Sequence, residues 1–207
     1  MAHPWWVNLL VAVPFFSYVF WQKAPISFTR THLLAAALFA ASFGVVEGTV
    51  VVYLRAVLGA AAGYSTSLSG VARFSESLSH VRLEPSALPP SLLRVETFRE
   101  GATILMLVSM ALLAAPNVQG RWAMFLWTFA IWDLSYYATL WATLRWPASM
   151  TDTDVLFLIP VVWVSPVWFP ALVSTLSVGA VLIARRPFSP PRLDDKRGRC
   201  AWTRLVF

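Results

Sequence analysis

The chain has almost nothing from which to build a disulfide or a thiolate metal site: Cys200 is its only cysteine. An intramolecular disulfide and a Cys-based metal motif are therefore excluded. Charge is scarce as well. Only 13% of the 207 residues are Asp, Glu, Lys or Arg, about half the usual share. That poverty excludes a disordered chain, a basic nucleic-acid-binding domain and an ordinary cytosolic enzyme. Histidine is limited to His3, His32 and His80. There is no Glu-x-x-His pair, no His-Glu-x-x-His, no Gly-x-Ser-x-Gly elbow, no glycine-rich phosphate loop and no intramembrane protease pair.

Apolar residues are what the chain has in excess. They make up 58% of it, with 11 Trp, 14 Phe and 5 Tyr, rings favoured at bilayer interfaces and in greasy cavities. The net charge of +6 is unevenly spread, since seven of the 16 basic residues follow Val181. Such a tail reads as a membrane-side anchor, and no nucleic-acid partner is expected. The expected fold is all-α: an integral membrane bundle of about five transmembrane helices.

A span needs about 20 apolar residues. Five stretches qualify, at about 5–21, 31–58, 95–115, 122–144 and 155–184. The first lacks a basic n-region and a small-residue cleavage site, so it reads as a retained helix with a kink at Pro14. The last would measure about 45 Å as straight helix against a hydrocarbon core of about 30 Å, and Pro160, Pro166 and Pro170 break it. A half-helix around Val155–Ile159, a bend, and a true span to Ala184 are expected. Broken backbone at that depth needs protein or water to satisfy it, which points to a cavity. An outer loop covers 59–94, and a basic cytoplasmic tail covers 185–207. With the N-terminus outside, Lys23, Arg30, Arg121 and the seven tail residues lie within, against Arg73, Arg82, Arg94 and Arg145 outside. That bias places a multi-pass chain in the cell inner membrane with its C-terminus in the cytoplasm.

Charges inside these spans are the informative residues. Glu47, Glu96, Arg99, Glu100 and Asp133 occupy otherwise apolar helices, at about 2.5–3.5 kcal/mol each near a helix centre. Ala36, Ala40, Gly44 and Gly48 form a small-residue ridge for close packing, and Glu47 borders it. Glu96, Arg99, Glu100 and Thr103 fall at i, i+3, i+4 and i+7, which makes one polar stripe. Asp133, Tyr136 and Tyr137 share a face of the fourth span. Measured from Arg55, Arg94 and Arg145 as interface markers, Glu47 lies about 12 Å deep, Glu100 about 9 Å and Asp133 about 18 Å. Asp152 and Asp154 stand at the mouth of the same region.

A bland reading exists beside the functional one. Glu47 pairing with Arg99 would tie two helices together, and Glu96 and Glu100 would snorkel at the interface. Four carboxyls against Arg99 and Arg55 still leave an excess, so either a cation is held there or some carboxyls carry protons. Carboxylate-only sites suit hard cations, whereas zinc or iron would bring histidine. No metal and no cofactor is expected.

Acid–base work among aromatic rings is the favoured chemistry, because a buried acid can protonate an alkene or epoxide and ring faces stabilise cations. Asp133 and Glu47 are the acid/base candidates, Arg99 and Glu100 orient them, and Tyr137 donates a hydrogen bond. Glu96, Tyr136, Trp132, Trp163 and Trp168 are the candidate substrate-binding residues. The expected partners are membrane lipids and a hydrophobic, isoprenoid-like small molecule. Alternatives are a non-catalytic subunit bound to a membrane protein partner, or a metal- or proton-handling protein.

Three stretches carry a resemblance: Phe43-Gly44-Val45-Val46-Glu47, Trp132-Asp133-Leu134-Ser135-Tyr136-Tyr137 and Asp154-Val155-Leu156-Phe157-Leu158-Ile159-Pro160. They resemble an uncharacterised bacterial polytopic membrane protein family over roughly 31–175. In layout the chain is also similar to the emopamil-binding, sterol isomerase-like family. That resemblance matches Glu47-Gly48, Glu96 or Glu100, and Asp133 with Tyr136, and implies isomerase-like proton transfer on a lipid. The histidine that family carries one turn before its first Glu is Phe43 here.

Overall fold

The computed structural model describes residues 1–23, 26–59 and 90–186. Most of the expected outer loop, with His80, Arg73 and Arg82, lies outside them, as does the tail beyond residue 186 with Cys200. Among the described residues the class is all-α. Five helices carry it: α1 Ala12–Lys23, α2 Arg30–Gly59, α3 Pro90–Ala114, α4 Val118–Leu144 and α5 Trp168–Ala184.

The first apolar stretch begins as a 3-10 helix, Trp5–Val11, and becomes α-helical at Ala12. Pro14 therefore falls in the first turn of α1, at the change from 3-10 to α geometry. Asn117 starts α4: its side-chain oxygen accepts the Gly120 N–H at 2.7 Å, satisfying one donor the helix leaves free. At the other end Arg145 turns left-handed at φ 54°, and Pro147 follows it, so the helix stops.

The expected half-helix at Val155–Ile159 is corrected. Those residues lie on and just beyond β2, Thr153–Phe157, which pairs antiparallel with β3, Trp163–Pro166. Two residues of β2 oppose one of β3 between Val155 and Phe157, which bulges the hairpin at Leu156. Val155, Phe157 and Val164 suit a pleated surface, and Pro160 in the connection cannot continue a helix. The helix that follows starts only at Trp168. A second small sheet joins β1, Ile26–Ser27, to β4, Arg185–Arg186, in parallel.

Contacts fix the packing direction. Trp127 Nε1 donates to Leu33 O at 3.0 Å, Gly44 meets Trp132 and Ser135, and Gly48 meets Thr139, so α2 and α4 run parallel. Thr103 reaches Glu47 and Ser174 reaches Asp133, with Ala36 and Ala111 together at one end and Leu144 and Val167 together at the other. Hence α3 is antiparallel to α2, and α5 to α4. The small-residue ridge is the α2–α4 contact: Ala36 and Ala40 are fully buried, and a Cβ on Gly44 would stand 2.5 Å from the Trp132 carbonyl oxygen.

The β1–β4 end is filled by one apolar cluster around Trp21, Leu33, Met124, Trp127 and Val181. Outward faces stay apolar too, with Phe16, Leu38, Val46, Phe98 and Leu113 exposed. Two helical segments, Arg30–Arg55 and Pro90–Ala114, are long and apolar enough to cross a membrane. The β2–β3 hairpin closes over the opposite end, where the polar residues gather.

Candidate functional site

Beneath the hairpin, α2, α3, α4 and α5 leave a cavity of about 140 Å³. Its floor is aromatic: Phe129 and Trp132 of α4 pack against Phe157 of β2 at ring-centroid distances of 6.3 and 6.5 Å. Trp163 closes one side, edge-on to Phe157 at 5.5 Å. Tyr136 stacks on Trp132 at 6.4 Å and meets Tyr137 edge-on at 5.1 Å.

Two polar arms line this space. On the first, Arg99 of α3 pairs with Glu47 of α2 and, from Nε at 2.8 Å, with Glu96 one turn earlier on its own helix. Thr103 Oγ1 donates to the other oxygen of Glu47 at 2.8 Å. The i, i+3, i+7 spacing of Glu96, Arg99 and Thr103 produces this geometry directly. Glu96 is buried, only 7% exposed, so it is an ion-pair partner rather than a snorkelling side chain. Glu100, on the same stripe, turns to the hairpin and accepts the Leu158 N–H at 2.7 Å.

The second arm holds Asp133, 8% exposed, whose Oδ2 accepts the Ser174 hydroxyl of α5 at 2.7 Å. Among the described residues it has no ion-pair partner. Nearby, Tyr137 donates its hydroxyl to Asp154 Oδ2 at 3.0 Å, linking α4 to β2. Asp154 lies in the hairpin, outside the helices. Burial pushes its carboxyl up to about 6, while the Tyr137 hydrogen bond and the Arg55 charge pull the other way. Arg55 is 3% exposed and lies over the Trp146 ring, 4.4 Å from its centroid. Among the described residues its Nε and Nη1 have no hydrogen-bond partner.

Protein-family models, curated proteins and solved structures were all compared with this chain, and none matches. The arrangement itself must carry the functional reading.

The cavity brings together Glu47, Glu96, Arg99, Glu100, Trp132, Asp133, Tyr136, Tyr137 and Trp163. Trp168 is the exception. It opens α5 at 38% exposure and packs edge-on against Phe169, while Phe169 and Pro170 beside it line the cavity. Among the described residues no group of three or more His, Cys, Asp or Glu is placed to hold a metal ion. His3 joins the hairpin only through its backbone, exchanging hydrogen bonds with Val164.

Sequence reasoning underrated Asp154, Arg55 and Ser174. Asp154 carried a signal, being the charge that opens the apolar run Val155, Leu156 and Phe157. Arg55 served as an interface marker, yet it is buried against Trp146. Ser174 carried none, since a serine in an apolar helix is ordinary.

Proposed function

We propose that this chain is a multi-pass membrane protein, its five helices spanning the bilayer with the N-terminus outside, whose cavity binds a hydrophobic lipid or isoprenoid-like molecule and converts it by acid–base chemistry. The apolar outward faces and the up–down order of the helices support the membrane reading. The excess of Lys and Arg on one side supports the orientation.

One observation carries the site: among the described residues Asp133 is buried without an ion-pair partner, in an aromatic-lined cavity that also holds the Arg99-bridged Glu47 and Glu96. The arms differ in kind. Arg99 pairs with both Glu47 and Glu96 and holds them in place on one side of the cavity. Asp133, held in one rotamer by Ser174, is the group free to give a proton to a bound alkene or epoxide. The Phe129, Trp132 and Tyr136 faces lie where positive charge would develop. Asp154, oriented by Tyr137, is the acceptor to which a proton returns.

The test is extraction of the detergent-purified protein and mass spectrometry of retained small molecules, for wild type and Asp133→Asn. A hydrophobic compound retained by both, with its isomer composition changed only in the variant, is the expected result. Retention of nothing beyond bulk lipid by either protein would overturn the reading.

A further inference from the structure

Hydrogen-bond donors without acceptors narrow the kind of molecule that fits. Among the described residues, Trp132 Nε1 and Trp163 Nε1 are both buried and unpartnered, and both rings line the cavity. Two indoles elsewhere are satisfied: Trp122 donates to Ser17 Oγ at 2.8 Å and Trp127 to the Leu33 carbonyl at 3.0 Å. Among the described residues Trp21, in the apolar cluster at the β1–β4 end, carries the other buried indole nitrogen left without a partner. A buried donor without an acceptor costs about 1–3 kcal/mol, and an indole N–H can only donate. Both rings pack against Phe157, at 6.5 and 5.5 Å between centroids, so the two donors belong to one aromatic cluster lining the cavity.

The nearest acceptors are already engaged. Glu47 and Glu96 hold Arg99, Glu100 holds the Leu158 amide, Asp133 holds Ser174 and Asp154 holds Tyr137. An ammonium group would find carboxylates here but would leave both indoles unsatisfied. An anionic head would satisfy the indoles but would enter a space lined by five carboxyl groups against Arg99. An uncharged oxygen meets neither objection.

We infer that Trp132 and Trp163 form a donor pair for an uncharged acceptor oxygen, so that the cavity takes a hydrophobic molecule bearing a carbonyl or ether-type oxygen. This rests on the reading of the cavity as a site for a hydrophobic molecule. The pair binds and orients, leaving proton transfer to the carboxyl groups.

The experiment uses the full chain in lipid nanodiscs, labelled with ¹⁵N at the tryptophan indoles. Trp132→Phe and Trp163→Phe assign the two signals and keep the rings. The probes are 2-nonanone, nonane, nonylamine and nonanoate. The ketone is expected to move both indole signals downfield saturably. Each Phe variant is expected to weaken ketone binding about tenfold more than it weakens nonane binding, the size of one good hydrogen bond. If nonane enters the cavity but the ketone binds no better and moves neither signal, the donor-pair inference fails alone. Tighter binding of nonylamine or nonanoate than of the ketone also overturns it. If neither ketone nor nonane enters, the hydrophobic-site reading fails and takes the inference with it.

Discussion

Arg99 of α3 is shared between Glu47 of α2 and Glu96 of its own helix, and Thr103 one turn further on donates to the same Glu47. Two helices with no loop described between them are thereby fastened at one depth. Replacing Arg99 with Met leaves two buried carboxylates without a cation, a loss of about 3–5 kcal/mol for a broken buried pair. Thermal unfolding of the purified protein should show that loss. Adding Glu47→Gln to Arg99→Met should restore part of it, and strict additivity of the two changes would show that the pair does not couple.

Gly44 admits nothing larger. A Cβ there would sit 2.5 Å from the Trp132 carbonyl oxygen and 2.8 Å from Ser135 Cβ, whereas one at Gly101 would first meet Ile159 Cδ1 at 3.9 Å. Gly44→Ala should therefore cost about 1–3 kcal/mol by forcing α2 from α4. Gly101→Ala should be neutral or slightly stabilising, as expected for Gly to Ala within a helix. Equal melting temperatures for the two variants would contradict the close approach.

The hairpin is tied to α3 by the Leu158 N–H on Glu100, at 2.7 Å. Glu100→Ala removes the acceptor, and Glu100→Gln keeps a side-chain oxygen in place. Hydrogen exchange at the Leu158 amide should speed up about tenfold in the alanine variant, matching a net contribution of about 1.5 kcal/mol. The glutamine variant should stay closer to wild type.

Asp154 gives the chain a pH-dependent stability of definite sign. Its carboxyl is pushed up to about 6 in the folded protein, against about 3.9 when unfolded. Between those values the folded state holds more protons than the unfolded one, so stability falls as pH rises from about 4 to about 6 and levels off above. The full effect is about 3 kcal/mol. Subtracting the Asp154→Asn profile from the wild-type profile should isolate it. A difference that is flat across that window would refute the burial of an ionisable Asp154.

Ser174 holds Asp133 in place at 2.7 Å. Ser174→Ala should cost about 1 kcal/mol in stability. The isomer composition of any retained molecule should shift in the same direction as in Asp133→Asn, but less.

Helical periodicity made part of this site legible before any coordinates. Glu96, Arg99, Glu100 and Thr103 had to share a stripe, Glu47 had to border the Ala36–Gly48 ridge, and Asp133 had to share a face with Tyr137, because 3.6 residues per turn leave no other arrangement. The apolar composition required that these few charges face inward. Other features depended on contacts between segments distant in the chain. Val155–Ile159 read as a half-helix and Pro160–Pro170 as a bend or re-entrant piece, since an apolar run with prolines has no period that separates a half-helix from a hairpin. Only pairing between β2 and β3 decided it. The partition of the carboxyls was likewise tertiary. Glu47 and Glu96 took Arg99 while Asp133 took Ser174, because which charges are compensated depends on which helices are neighbours. Trp163, on β3, lines the cavity while Trp168, the first residue of α5, does not, a difference set by the hairpin and helix each belongs to rather than by the indole itself.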